Sequence, residues 1–107
     1  MDEVFDSLAG LAQVTDPGVT TGKMFGSRAL KVLGKLFCVV HSDGIVCKLD
    51  GDDHAEALAI EGAHLFDPSG KGRPMREWVH IPAGREIDEY ESFALAACEY
   101  VRSLVAD

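Results

Sequence analysis

Several things are scarce in this sequence, and each scarcity removes a class of protein. Of 107 residues only three are cysteines, Cys38, Cys47 and Cys98, an odd number with no CxxC pair. That spacing suggests neither a disulfide framework nor a zinc knuckle, and reduced, mostly buried thiols are the expectation. No apolar run approaches the roughly 20 residues that a membrane helix needs. The N-terminus is acidic (Asp2, Glu3, Asp6) where a signal peptide would be basic. The expected location is therefore the cytoplasm, with no membrane partner. GKS, GKT, HExxH and GxSxG are all missing, and His41, His54, His64 and His80 stand singly. Accordingly no catalytic residue, metal ligand or cofactor is assigned, and a non-enzymatic protein is expected.

What is present describes one small folded unit. Apolar residues make up 47% of the chain and charged residues 26%, the balance of a globular domain rather than a disordered segment. At this length one domain spanning residues 1–107 is expected. Val4, Phe5, Leu8, Leu11 and Ala12 fall at helical spacing and stop at Asp16-Pro17-Gly18. Between Ala29 and Leu49 the rhythm turns to strands, punctuated at Leu33-Gly34-Lys35 and Ser42-Asp43-Gly44, which predicts a three-stranded antiparallel meander. Asp50 to Glu61 reads as a short helix closed by Gly62. Leu65-Phe66 reads as a brief strand, Asp67 to Pro74 as a loop, and Trp78 to Ile81 as a strand. Ile87, Tyr90, Ala94, Ala97, Val101 and Leu104 recur every three or four residues as the longest helix, with Asp88 and Glu91 spaced as a capping box. The order α-β-β-β-α-β-β-α predicts an α+β fold, a single five-stranded antiparallel sheet with helices packed on one face.

Side-chain alternation extends this to the faces of the sheet. A short turn around Asp43-Gly44 places Leu36, Cys38, Val40, Ile45, Cys47 and Leu49 together on the core face. Leu30 and Val32 join them if the first hairpin has an odd loop, such as Leu33 to Lys35 with a G1 bulge. The opposite face then carries Lys31, Phe37, Val39, His41, Val46 and Lys48, too mixed for a core and too apolar for free solvation, so a cover is expected there.

Charge is divided along the chain. Residues 1–16 hold four acids and no base, residues 50–61 hold five and none, and residues 86–107 hold six against Arg102. The cations Lys23, Arg28, Lys31, Lys35 and Lys48, then Lys71, Arg73, Arg76 and Arg85, lie in the strands and loops. Helices on one face would leave the sheet side positive within a molecule of net charge −8. An alternative is that acids simply favour helix starts.

The loop from Phe66 to Met75, with Ser69, Gly70, Lys71, Gly72 and Arg73, has the parts of an anion-binding nest; a structural connection or a partner-contact loop is the other reading. Lys48 in a strand interior needs a partner or a route to water, and snorkelling beside Phe37 supplies one. Trp78 beside Arg76 is either an exposed hot-spot pair or a core anchor. Met24-Phe25-Gly26-Ser27 reads as a turn whose methionine and phenylalanine plug the core. The candidate partner- or anion-binding residues are Lys48, Lys71, Arg73, Arg76, Trp78, Lys31 and Phe37.

Taken in order, Lys23-Met24-Phe25-Gly26-Ser27, Leu36 to Val40, Val46-Cys47-Lys48-Leu49, Phe66-Asp67-Pro68, Gly72-Arg73-Pro74-Met75 and Glu77-Trp78-Val79 resemble the N-terminal domain of the TfoX/Sxy competence-regulator family, particularly its short stand-alone members. By motif the likeness covers about residues 20 to 82. The resemblance implies an α+β fold of the YjbR-like, secretion-chaperone-like kind with a five-stranded sheet, and a regulatory rather than catalytic role. With the charge pattern it leads to an interaction module that holds a protein partner, a second copy of the chain being one form of partner. Weak nucleic-acid binding through the basic side is the alternative, disfavoured by the acidic balance because phosphate affinity comes mainly from lysine and arginine.

Overall fold

The computed structural model describes residues 1–105. Along the chain run α1 (Asp2–Thr15), β1 (Val19–Met24), β2 (Ser27–Val32), β3 (Lys35–His41), β4 (Gly44–Lys48), α2 (Gly51–Leu58), β5 (His64–Phe66), β6 (Met75–Pro82) and α3 (Ile87–Val105). All strands pair antiparallel in one sheet of order β1-β2-β3-β4-β6-β5. The α+β class is as expected, but the sheet has six strands rather than five. The additional one is β1, Val-Thr-Thr-Gly-Lys-Met, an edge strand with one buried residue, Val19. Its sequence lacks the apolar alternation that marks a half-buried strand.

Each helix follows from its apolar stripe. Phe5, Leu8, Ala9 and Ala12 give α1 one buried face. The helix ends at Asp16, held extended because the next residue is proline. In α3 the stripe is Tyr90, Ala94, Ala97, Cys98 and Val101, and the Tyr90 hydroxyl donates to the Pro82 carbonyl at 2.5 Å, tying the helix start to the end of β6. Asp88 lies inside the first turn rather than capping it, and Glu91 instead accepts from Ser7 of α1 at 3.4 Å. The Asp16 carboxylate, nearly buried, takes both guanidinium nitrogens of Arg102, Nε at 2.6 Å and a terminal nitrogen at 3.0 Å, and so fastens the α1–β1 corner to α3. All three helices pack on one face of the sheet, against Leu30, Val32, Phe37, Cys38, Val40, Ile45, Cys47, Leu49, Val79 and Ile81.

Phe37 on that face corrects the expected alternation. Leu30 pairs with Cys38 and Lys31 with Leu36, leaving Phe37 with no partner on β2. This is a β-bulge, and both Phe37 and Cys38 point to the helices while Leu36 turns to the other side. The first hairpin then needs no odd loop. Val32 pairs with Lys35 across the two residues Leu33-Gly34, at φ 51° and 81°, the signature of a type I′ turn. Phe25-Gly26, at φ 52° and 78°, closes the β1–β2 hairpin in the same way.

The far face carries its own apolar cluster. Ala29, Val39, Val46 and Trp78 are buried there, with Met24, Leu36, Phe66 and Met75 packed against them. Every strand contributes to this cluster and no helix does. Its cover is the sheet itself. Four strand spacings separate β2 from β5, about 19 Å if the sheet were flat. Yet the ring of Phe25, at the β1–β2 turn, lies 6.0 Å from that of Phe66 in β5. The sheet therefore curls until its two sides meet over Val39 and Val46.

Two substitutions test this backbone. Leu33 is a residue that αL geometry disfavours, and it is partly exposed. Leu33→Asn, giving the preferred Asn-Gly turn, is expected to raise stability by about 0.5–1 kcal/mol in urea unfolding. Gly44, at φ 150°, would place a Cβ 2.1 Å from the Ile81 carbonyl oxygen. Gly44→Ala should cost about 2–4 kcal/mol in the same measurement.

Candidate functional site

Strand register brings three histidines, far apart along the chain, to one end of the far face. Strand pairing sets His64 opposite His80, and Val46 on the other flank of His80. His41 ends β3, and the turn that follows it supplies Asp43. Together with Phe66 and Asp67 these residues line a pocket of about 220 Å³. The His64 and His80 rings stack, centroids 4.7 Å apart, and the His41 ring leans on Phe66 at 5.9 Å. His41 Nδ1 shares a hydrogen bond with the Ser27 hydroxyl at 2.7 Å. Its Nε2, and both ring nitrogens of His80, are shielded from water with no hydrogen-bond partner. A carboxylate oxygen of Asp43 lies 3.7 Å from His80 Nε2. Burial lowers the His80 pKa, the neighbouring His64 lowers it further, and Asp43 opposes both. Sequence reasoning saw these histidines as scattered, since only the register of β6 against β4 and β5 gathers them. Among the described residues no group of three metal-ligating side chains is placed to hold a metal ion.

Beside the pocket the 67–74 loop folds around its own carboxylate. Asp67 accepts from the Ser69 hydroxyl and from the backbone N–H groups of Gly70, Gly72 and Arg73, at 2.8 to 3.2 Å. Those hydrogen bonds hold its pKa below the usual carboxylate range. The nest anticipated for an external anion is thus filled from within, and Lys71 and Arg73 are left projecting from a loop whose amides are already satisfied.

The remaining candidates divide. Phe37 is fully buried under the helices, and the bulge withdraws it from any binding face. Trp78 is a core anchor, not an exposed pair with Arg76, and its cross-strand partner is Lys48. The Lys48 ammonium reaches Glu77 at 3.9 Å. Lys48, Lys35, Leu36 and Trp78, with Val101, Leu104 and Val105 of α3, line a groove of about 370 Å³ between the sheet and the end of α3. Lys31 lays its stem along Gly22 of β1. Arg76 is exposed, and its carbonyl oxygen is bonded by His54 Nε2 of α2 at 2.8 Å. Among the described residues Arg28, Lys48, Arg85 and Arg102 pair with carboxylates, whereas Lys23, Lys31, Lys35, Lys71, Arg73 and Arg76 form no ion pair. Phe25, expected as a core plug, is 62% exposed.

The lowered His80 pKa fixes the sign of a pH effect. The unfolded chain takes up a proton near pH 6.5 that the folded chain resists, so this contribution to stability is complete above pH 6.5 and is lost as pH falls below it. The urea midpoint of the wild-type chain should drop between pH 7 and 5.5 more steeply than that of His80→Leu. Parallel slopes in the two proteins would contradict the assignment.

The profile of the TfoX N-terminal domain family matches residues 9–99. No curated protein and no solved structure matches the chain. The match runs from the second half of α1 through most of α3 and thus takes in all six strands, and the chain belongs to the TfoX N-terminal domain family.

Proposed function

We propose that the chain is a non-enzymatic interaction module whose partner is a protein with an acidic surface, held at the β1–β2 hairpin tip and the 67–74 loop. The observation that supports this reading is Phe25. It occupies the first position of a type I′ turn at φ 52°, where asparagine or glycine costs little and a bulky L-residue costs about 1–2 kcal/mol. It is also largely exposed. Its contact with Phe66 leaves most of its surface free, and an aromatic held strained and solvated in this way suits contact with a partner. Lys23 lies two residues before it. Its ring touches Phe66, from which the loop carrying Lys71 and Arg73 departs. An apolar anchor ringed by unpaired cations suits an acidic protein surface.

The Ser27–His41 hydrogen bond does not weigh against a binding role. Among the described residues no carboxylate orients His41 through its Nε2, so the pair lacks the third member that activates a serine. Nucleic acid is the second reading, carried by the same cations. It is weaker, because Asp67 occupies the loop amides that a phosphate would use and the net charge is −8.

Phe25→Asn tests the reading, since Asn-Gly relieves the turn while the ring is removed, and the urea midpoint of the variant reports whether the fold is retained without the Phe66 contact. Affinity purification followed by light scattering should recover a stoichiometric protein complex with the wild-type chain. Phe25→Asn, and separately Lys71→Glu with Arg73→Glu, should each weaken that complex by about tenfold or more. Unchanged recovery with both variants, or recovery of nucleic acid in place of protein, would reject the proposal.

A further inference from the structure

The histidine pocket is lined by acceptors and one aromatic ring, and by no cation: His41, Asp43, His64, Phe66, Asp67 and His80. A neutral imidazole keeps one acceptor nitrogen in either tautomer. His80, 8% exposed, has neither ring nitrogen hydrogen-bonded. Asp43 is mostly exposed, and among the described residues no lysine or arginine pairs with its carboxylate, which lies 3.7 Å from His80 Nε2. Asp67 has committed its oxygens to Ser69, Gly70, Gly72 and Arg73, and it contributes negative potential rather than a ligand atom. An unpartnered acceptor kept from water carries a desolvation penalty that an incoming N–H donor removes.

We propose that this pocket binds a guanidinium group once the exposed Asp43 side chain shifts from its place 3.7 Å from His80 Nε2, so that its carboxylate and the acceptor nitrogen thereby opened on His80 take the N–H donors and Phe66 offers its ring face. A planar cation with several N–H donors matches a carboxylate, an imidazole and an aromatic wall together. The volume, about 220 Å³, is below that of drug-sized ligand sites and suits the end of a side chain or a small cation. The site stands whether or not the Phe25 tip holds an acidic partner. Protonation competes with it. His80 faces Asp43, His64 and His41, and once it carries a proton the site loses an acceptor and gains a like charge.

An amide ¹H–¹⁵N titration of the whole chain decides the matter, with methylguanidinium chloride as the free cation, the peptide Ac-Gly-Arg-Gly-NH2 as an arginine of a partner, and tetramethylammonium chloride at equal ionic strength as a cation without donors. Saturable shifts centred on His41, Asp43, His64, Phe66 and His80 are expected at pH 7.5. Asp43→Asn should weaken them about tenfold. The variant leaves the turn backbone intact, and its own spectrum reports its folding. Equal affinity for methylguanidinium and the peptide identifies a free cation as ligand, and a peptide bound at least about tenfold tighter identifies a partner's arginine; either outcome supports the site. The proposal is overturned by no saturable shift, by an equal response to tetramethylammonium, or by affinity unchanged in Asp43→Asn.

Discussion

One unpaired residue, Phe37, sets the shape on which everything else in this domain depends. A strand that alternates strictly would send Phe37 away from the helices and Leu36 toward them. The bulge instead gives β3 two successive residues, Phe37 and Cys38, facing the helices, and it shifts Leu36 to the far face. Bulges also bend a strand and increase its twist. The bulge falls in β3, near the middle of a six-stranded sheet, and a second register shift falls between Leu65 and Phe66, where the ring of Phe25 meets β5.

From that bend follows the arrangement of two apolar clusters on one sheet. The larger forms where the helices cover the inner face. The smaller draws on all six strands and is covered by the curl rather than by a further element. Closing the sheet over Val39 and Val46 also creates the two ends at which chemistry can occur. At one, His64 and His80 stack beside Asp43; at the other, Lys48 stands across from Trp78. The chain belongs to the TfoX N-terminal domain family, and the Phe25 tip with the 67–74 loop is where recognition of a partner is proposed.

Much of the fold was legible in the residues. Helical periodicity located α1 and α3, Pro17 explained where α1 ends, and the alternation of Ile45, Cys47 and Leu49 identified the inner face correctly. What could not be read depends on pairing at a distance. An odd residue was needed somewhere between Leu30 and Cys38, and the pattern alone placed it in the loop, because Leu33-Gly34-Lys35 reads as a turn of three. Local turn chemistry gave no warning that leucine would take the αL position. The edge strand β1 was missed because its Thr-Thr-Gly-Lys core is polar on both faces. At the site, Lys48 and Trp78 were recognised as unusual and do meet across strands, whereas Phe37 was assigned to the wrong face by the same missing residue. The histidine pocket carried no local signal, since its members are 16 or more residues apart along the chain where His41, His64 and His80 are concerned. The anion nest of the 67–74 loop was a sound reading of its glycines, and Asp67 filled it.

The central claim, that the sheet closes on itself across the far face, is tested most directly by nuclear Overhauser contacts between the aromatic rings of Phe25 and Phe66 in the uniformly labelled chain. The structure places the centroids 6.0 Å apart, close enough for cross-peaks between ring protons, together with contacts from His41 to Phe66. Those cross-peaks are predicted. Their absence, with Val39 and Val46 amide protons exchanging as fast as those of an open sheet face, would contradict the account.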